Sequence, residues 1–340
     1  MLALGLDIGG ANLKAATSAG AALARPFELW RAPDKLFDQI CDLIARLGAV
    51  DLLAVTMTAE LADCFATKAE GVAFILAAVD RAADGIPVVV WQTTGAFARS
   101  HEAAARPCAV AAANWHALAT WAGRLAPRGR GLLVDIGSTT TDLIPLFDGR
   151  PASRGLTDLD RLLNNELLYS GWRRTPLCAV ANSVEVRGRM CPVAAELFAT
   201  MLDAYLLLEW IPEDAGDRGT ADGRPATIAC AHDRVARMVC CDRDEIDLAA
   251  ANSIAACFAA AQKKRLSSAL ATVIGRDQRP IEVVVIAGSG ERLACQLVAE
   301  HPLAQGAQLI RLAEILSPPL AEAACAYAVA VLAAEANAAI

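Results

Sequence analysis

The chain has 340 residues, 55% of them hydrophobic, with a formal net charge of -7 at pH 7 and a sequence pI near 5.2. That length allows two domains with full cores, while the acidic balance argues against a nucleic-acid partner, whose phosphates demand a basic face. A mean hydropathy of +0.37 raises the membrane question, but the most apolar late stretch, 323–334, is bounded by Glu322 and Glu335 and falls short of the roughly 20 apolar residues a spanning helix needs.

The N-terminus reads straight into a strand with no basic leader, so a cytoplasmic protein with no membrane partner is expected. Eleven cysteines are scattered without a C-x-x-C pair, as small core residues are in a reducing compartment. Cys230, His232, Cys240 and Cys241 form the one cluster of note. The adjacent pair points in opposed directions, so a helix with buried thiols is preferred to a zinc site.

In chain order, the apolar run 2–6 is a strand, and 12–17 pairs with 22–30 around the turn 18–20. Phe37, Ile40, Cys41, Ile44 and Leu47 mark one face of a helix. Segments 52–58 and 88–91 read as short buried strands flanking a helix at 72–82. Segment 108–113 is a further strand candidate, followed by a helix through Trp121. Pro127-Arg128-Gly129-Arg130-Gly131 is a linker. The pattern then restarts with strands at 132–136 and 141–147.

An irregular stretch follows, with helical signals at 158–168 and 193–210 and a charged, glycine-rich loop at 213–223. Beyond it come a helix through Val239, a long helix at 248–273 and a strand at 282–287. A helix from Glu291, a last strand at 309–312 and an alanine-rich helix at 321–334 complete the reading. Strands alternating with helices imply an α/β architecture with mainly parallel sheets. The expected organisation is a first lobe at 1–130 and a second at 131–340, the latter holding a mostly helical substrate region at 148–225.

Two short stretches share one design. Asp7-Ile8-Gly9-Gly10-Ala11-Asn12 and Asp135-Ile136-Gly137-Ser138-Thr139-Thr140 each follow a buried strand, turn on glycine and lead into a second apolar strand. Backbone N–H groups at such a turn form a nest for anions. A carboxylate facing the nest would repel a bare phosphate, and a bridging Mg²⁺ is the usual reason for it to be there. Asp7 and Asp135 are therefore the expected metal ligands. Gly9, Gly10, Asn12, Gly137, Ser138, Thr139 and Thr140 are expected at phosphate oxygens, and Lys14 can add a point charge. Gly288-Ser289-Gly290, between a strand and a helix, is a third anion loop. In this order the three suggest a cleft that grips a phosphate chain from both sides.

This ordered triple resembles the actin, sugar-kinase and heat-shock ATPase superfamily. The resemblance implies a two-lobed, duplicated ribonuclease H-like α/β fold in which the closing small-residue helix crosses another helix closely. A narrower resemblance is to a hydantoinase/oxoprolinase-like branch linked to tetrahydromethanopterin one-carbon metabolism. It is carried by Gly5-Leu6-Asp7-Ile8-Gly9-Gly10-Ala11-Asn12-Leu13-Lys14, Val55 to Asp63, Ala113-Asn114-Trp115, Gly155 to Thr175, and Thr220 to Pro225. Within that branch the chain is similar to the ether-forming synthases of methanofuran and methylofuran biosynthesis.

That likeness implies a transferase joining an aminomethylfuranylmethyl diphosphate to the phenol of a tyramine or tyrosine unit. Diphosphate leaves, Mg²⁺ is the cofactor, and ATP is permitted by the scaffold but not required. An ATP-dependent kinase or an amidohydrolase of the same superfamily is the alternative. A phenol of pKa near 10 gains from a carboxylate base. Glu60, at the carboxyl end of a strand, and Glu196, in a helical pattern, are the candidates. Asp63, Lys68 and Asn114 belong to the same rim, and Arg174 and Arg224, with Asp222 beside the latter, suit a substrate carboxylate. Self-association is left open.

Overall fold

In the computed structural model, which describes residues 1–338, the first apolar run forms β1 (Ala3–Ile8). It pairs antiparallel with β2 (Asn12–Thr17), which pairs with β3 (Ala22–Pro26). After α1 (Leu36–Leu47), strand β4 (Leu52–Met57) joins β1 in parallel. After α2 (Lys68–Ala83), β5 (Val88–Trp91) joins β4 in parallel, with β6 (Phe97–Arg99) at the edge. The sheet order is β3-β2-β1-β4-β5-β6. Short helices α3 (Ser100–Ala104) and α4 (Pro107–Val110) lead to α5 (Asn114–Ala122). The strand expected at 108–113 is thus absent: Pro107 opens α4, where its missing N–H costs nothing, and Ala112 then adopts a left-handed backbone with φ 47.

The second half repeats the plan. β7 (Arg130–Ile136) pairs antiparallel with β8 (Thr141–Phe147), to which β9 (Arg150–Pro151) and β10 (Leu167–Leu168) attach. Across β7 lie β13 (Val283–Ala287) and β14 (Gln308–Arg311), both parallel to it, in the order β10-β8-β7-β13-β14. Both sheets therefore place an antiparallel hairpin beside parallel strands in one order. This is the duplicated, actin-like α/β arrangement that the resemblance implied.

Stretch 148–225 holds α6 (Asp158–Leu163), the hairpin β11 (Ser183–Val186)–β12 (Arg189–Pro192) and α7 (Met201–Leu207), and is mostly irregular rather than mostly helical. The helix expected at 193–210 begins only at Met201. Thr200 and Asp203 form a reciprocal cap there, with Thr200 N–H donating to Asp203 Oδ2 at 2.9 Å, which fixes the first turn. The remaining helices are α8 (Ile228–Arg237), α9 (Leu248–Ile274), α10 (Glu291–Ala299), α11 (Leu312–Ile315), α12 (Pro318–Glu322) and α13 (Ala324–Ala338). No helix among the described residues is long and apolar enough to cross a membrane.

The period-2 alternation of a strand decides what meets what. Leu4, Leu6 and Ile8 of β1 pack with Leu36, Ile40, Val72 and Ile75 of α1 and α2, whereas Ala3 packs with Ala117 of α5 and Val329 and Ala333 of α13. In β7, Leu132, Val134 and Ile136 face α7, α9 and α10, whereas Leu133 faces Trp115, Leu118, Ala324 and Ala328. Helices α5 and α13 pack on each other and form a layer shared by the inner faces of both sheets. Gly5 shows how tight that layer is: a Cβ there would overlap the Ala326 carbonyl of α13.

Replacing Gly5 by alanine should therefore force α13 outward. The expected loss is about 1–3 kcal/mol of stability, the usual cost of overpacking, read as a lowered urea midpoint at unchanged slope.

Candidate active site

The two aspartate loops share one backbone plan. Each is a turn, over 9–12 or 137–140, closed by the same backbone hydrogen bond: Gly9 N–H to Asn12 O at 3.0 Å and Gly137 N–H to Thr140 O at 2.9 Å. Strand alternation turns Asp7 and Asp135 to the inner faces, toward α5 and α13. Asp7 stands between Lys14 of β2 and Thr56 of β4. Asp135 stands between Asp142 of β8 and Ala287 of β13. Both carboxylates, Lys14 and Asp142 act on one group, the Cys325 thiol near the start of α13; burial first, and then the carboxylates, push it well above the usual thiol range. The two loops thus face one another over the beginning of α13.

Neither carboxyl ionises easily there. Burial raises Asp7 to about 6, opposed by the charge of Lys14 and by the Asn114 side chain. Burial raises Asp135 to about 7, helped by Asp142 and Asp7 and opposed by Lys14. Asp7 Oδ1 is buried and has no hydrogen-bond partner, as is also true of the neighbouring Thr56 hydroxyl. Magnesium is held by one or two carboxylates with waters and phosphate oxygens completing the shell, and an orphaned aspartate oxygen beside a second carboxylate fits that donor set.

The third loop rests on the second. Gly290 N–H donates to Ile136 O at 2.8 Å. Gly288, at φ +83, lies so close to the Ile136 carbonyl and the Asp135 carboxylate that any Cβ would overlap them; Ser289 is exposed at the rim. From the other side, residues 170–175 cradle the second loop. Trp172 N–H donates to Gly137 O at 2.9 Å, and the N–H groups of Arg173 and Arg174 donate to Ser138 O at 3.1 and 2.8 Å. Gln262, fully buried, donates to Gly171 O at 2.8 Å and accepts from the Tyr205 hydroxyl, so the cradle is anchored in the core.

A second group of titratable residues adjoins the pair. Glu60 follows β4, is 2% exposed, and has one buried carboxylate oxygen without a partner. Its backbone lies directly against Gly71 of α2. Burial raises it to about 7, with the charge of Asp158 adding to the rise; its own backbone N–H, Lys68 and the Ala112 N–H act against it. The left-handed Ala112 backbone is thus tied to a carboxylate. Asp158 accepts from Arg161 at 3.3 Å, and the same buried guanidinium pairs with Asp142 and lies 4.1 Å over the Trp115 ring. The Trp115 indole N–H and Arg161 Nε are also buried without partners. The Tyr169 hydroxyl is held above its usual range by burial and by Asp158, Glu60 and Asp142.

Residues 51–337 match the hydantoinase/oxoprolinase family. The chain belongs to that family. Within it, the chain is 38% identical over 249 residues, 72% of its own length and 74% of the relative's, to the (4-{4-[2-(gamma-L-glutamylamino)ethyl]phenoxymethyl}furan-2-yl)methanamine synthase of Methanocaldococcus jannaschii. A protein of the same name from Methanococcus vannielii is 44% identical over 115 residues, 34% of this chain and 51% of that one. Among solved structures, nucleotide-free acetone carboxylase aligns with a TM-score of 0.52 at 13% identity, covering 91% of this chain and 50% of that one. At that identity the likeness concerns the fold alone.

In this hydantoinase/oxoprolinase family member the residues singled out by sequence divide into groups. Asp7, Lys14, Asn114 and Asp135 interact with one another, and Glu60 and Lys68 belong to the adjoining acidic wall. Arg174 is tied through its backbone to Ser138. Glu196 does not lie in a helix: it is exposed in a bend before Thr200, because the α7 cap excludes it. Asp63 is likewise exposed. Asp222 and Arg224 bind each other at 2.7 Å; Arg224 also holds Asp233 at 2.8 Å, and Asp222 holds buried Arg234 at 3.0 Å. That network ties the 213–223 loop to α8, so both side chains already have ionic partners. Asp158, Arg161, Tyr169, Thr56 and Cys325 escaped sequence reasoning. The one available signal was Asp142, which occupies the register position of Lys14 in the second hairpin.

The raised carboxyls set a pH dependence. Asp7 and Asp135 hold protons more tightly folded than unfolded, so stability falls as pH rises from their unfolded pKa of 3.8 through about 6 and 7. Without divalent cations, the urea midpoint should drop between about pH 4 and about pH 7, and Asp135→Asn should reduce that drop.

Proposed function

We propose that the chain forms an aryl ether: the phenol oxygen of a tyramine or tyrosine unit attacks the methylene carbon of an aminomethylfuranylmethyl diphosphate, and diphosphate leaves. The observation that carries this reading is the 38% identity over 72% of the chain to a synthase whose name spells out a phenoxymethylfuran. The site supports it. The product belongs to methanofuran or methylofuran biosynthesis.

The facing turns at Gly9–Asn12 and Gly137–Thr140 offer backbone N–H groups and the hydroxyls of Ser138, Thr139 and Thr140 to the diphosphate from two sides. Lys14, set between the two aspartates electrostatically, offsets its charge. Asp7 and Asp135 would hold Mg²⁺, which supplies neutralisation of the oxygens on which charge builds as the C–O bond breaks. The furan ring oxygen shares the positive charge left at the methylene carbon. Glu60, buried and with an oxygen awaiting a donor, takes the phenol proton as the new C–O bond forms, which leaves a neutral ether. Water must be kept from the reacting carbon, and the exposed ring of Tyr169, electrostatically linked to Glu60 and Asp158, stands beside that carboxylate to help exclude it. ATP has no part in this balance.

Protein incubated with Mg²⁺, the furan diphosphate and tyrosine or glutamyl-tyramine, without ATP, should release ether and diphosphate in equal amounts. Asp7→Asn and Asp135→Asn should each abolish turnover. ADP formation that depends on a phosphate-accepting substrate, with no ether, would replace the reading with a kinase.

For a base raised to about 7, the active form is the carboxylate, so turnover should rise as pH passes through about 7. Glu60→Gln should lower kcat by roughly 10²–10⁴-fold, the range of a lost general base, and should remove that limb of the pH profile.

A further inference from the structure

Around the cleft, the arginines among the described residues are almost all spoken for. Arg161 is held by Asp142 and Asp158, Arg173 by Asp217, Arg224 by Asp222 and Asp233, and Arg276 by Glu166. Arg174 differs. Its side chain is exposed, no carboxylate pairs with it, and its guanidinium lies 5.7 Å over the ring of Trp30.

The placement of this pair follows from the backbone. Arg174 N–H donates to Ser138 O at 2.8 Å, which fixes that residue beside the second loop. Leu29 N–H donates to Gly10 O at 3.0 Å, and Phe27 N–H to Ala11 O at 3.0 Å, which fixes Trp30 beside the first. Leu29 itself is fully buried, so the Trp30 segment is held firmly. The two side chains meet where the two loops come together, yet on the solvent side. A guanidinium over an indole face keeps its planar edge of N–H donors free, and that edge suits a carboxylate through two parallel hydrogen bonds.

Resting on the ether-forming reading, we infer that Arg174 and Trp30 form the acceptor-recognition site, in which Arg174 binds the carboxylate of the phenolic acceptor and Trp30 orients the guanidinium. Chemistry and position agree. In the acceptor the phenol oxygen must reach the buried reaction centre, while any carboxylate is separated from it by a benzene ring and a two-carbon arm and so must lie farther out. The diphosphate, by contrast, is matched by the inner loops. Two acceptors carry such a carboxylate: tyrosine on its own arm, and a glutamylated tyramine at the end of its amide. Tyramine carries none. Arg174 is therefore a specificity-determining residue, and Trp30 a positioning one.

Binding alone tests this, without the furan substrate. Tyrosine, γ-glutamyl-tyramine and tyramine are titrated calorimetrically into the full chain and into Arg174→Gln, Arg174→Lys and Trp30→Leu. The wild type should prefer at least one carboxylate-bearing phenol to tyramine, and whichever is preferred identifies the carboxylate source. Arg174→Gln should weaken that ligand by ~10- to 100-fold, the worth of a charge-assisted hydrogen-bond pair, and leave tyramine unchanged. Arg174→Lys should restore part of the preference, and Trp30→Leu should reduce it by less than Arg174→Gln does.

Equal loss for tyramine and the carboxylate-bearing phenols would overturn the assignment, as would a wild type with no preference or no binding. If the carboxylate preference is present and Arg174-dependent but no ether forms with the furan diphosphate, the site stands and the reaction proposed above falls.

Discussion

Everything at this site depends on the parity of two strands. In β1 the even-numbered residues from Leu4 to Ile8 enter the outer core, and in β7 Leu132, Val134 and Ile136 do the same. Asp7 and Asp135 are consequently on inner faces, where the material between the sheets is not a thick hydrophobic core but a pair of helices, one of them built largely of alanine. Small side chains bring the sheets close. Two carboxylates that would be unremarkable on a surface are pressed into the same low-dielectric space, and that is what holds their protons.

The duplication is one of backbone, not of charge. The position across the hairpin from the aspartate is Lys14 in the first half and Asp142 in the second. Lys14 serves both aspartates, whereas Asp142 burdens Asp135 and is itself balanced by Arg161. Arg161, which also holds Asp158 within α6, joins α6 to α5 through the Trp115 face. The phosphate-facing loops and the Glu60 wall are therefore one electrostatic unit, which runs from Lys14 through Asp135 and Asp142 to Asp158 and Glu60.

The framework of the molecule was legible because it is written in local signals. A buried run ending in aspartate and glycine marks a strand and its turn, and its recurrence as Asp135-Ile136-Gly137 marks the second sheet. Long α9, with its sustained apolar face, read correctly from 248 to 273. Segment 108–113 did not, since six small apolar residues after a proline look alike in a strand and in a short helix. Glu196 misled for a related reason: Ala195 to Phe198 has helical composition, but the competing cap at Thr200 and Asp203 sets the start of α7. Asp158, Arg161 and Tyr169 lay within the family-like stretch 155–175 but gave no sign of a role, because that role comes from Glu60, Trp115 and Asp142 in other parts of the chain, which periodicity does not encode. Arg224 and Asp222 looked like ligand groups as isolated charges, and only the position of Arg234 on α8 reveals the ionic network that occupies them.

One structural fact bears on how this protein comes into being. The alanine-rich helix that closes against β1 lies beneath both aspartates, with Cys325 among its first residues. The two loops that meet above it are encoded more than a hundred residues apart and far upstream. During synthesis, then, both turns emerge from the ribosome before the surface they share exists. Until residues 324–338 follow them, Gly5 lacks the Ala326 backbone it packs against and the inner face of β1 has only α5 for cover, so the nascent chain carries its strands with one of the two helices that bring its carboxylates together still missing.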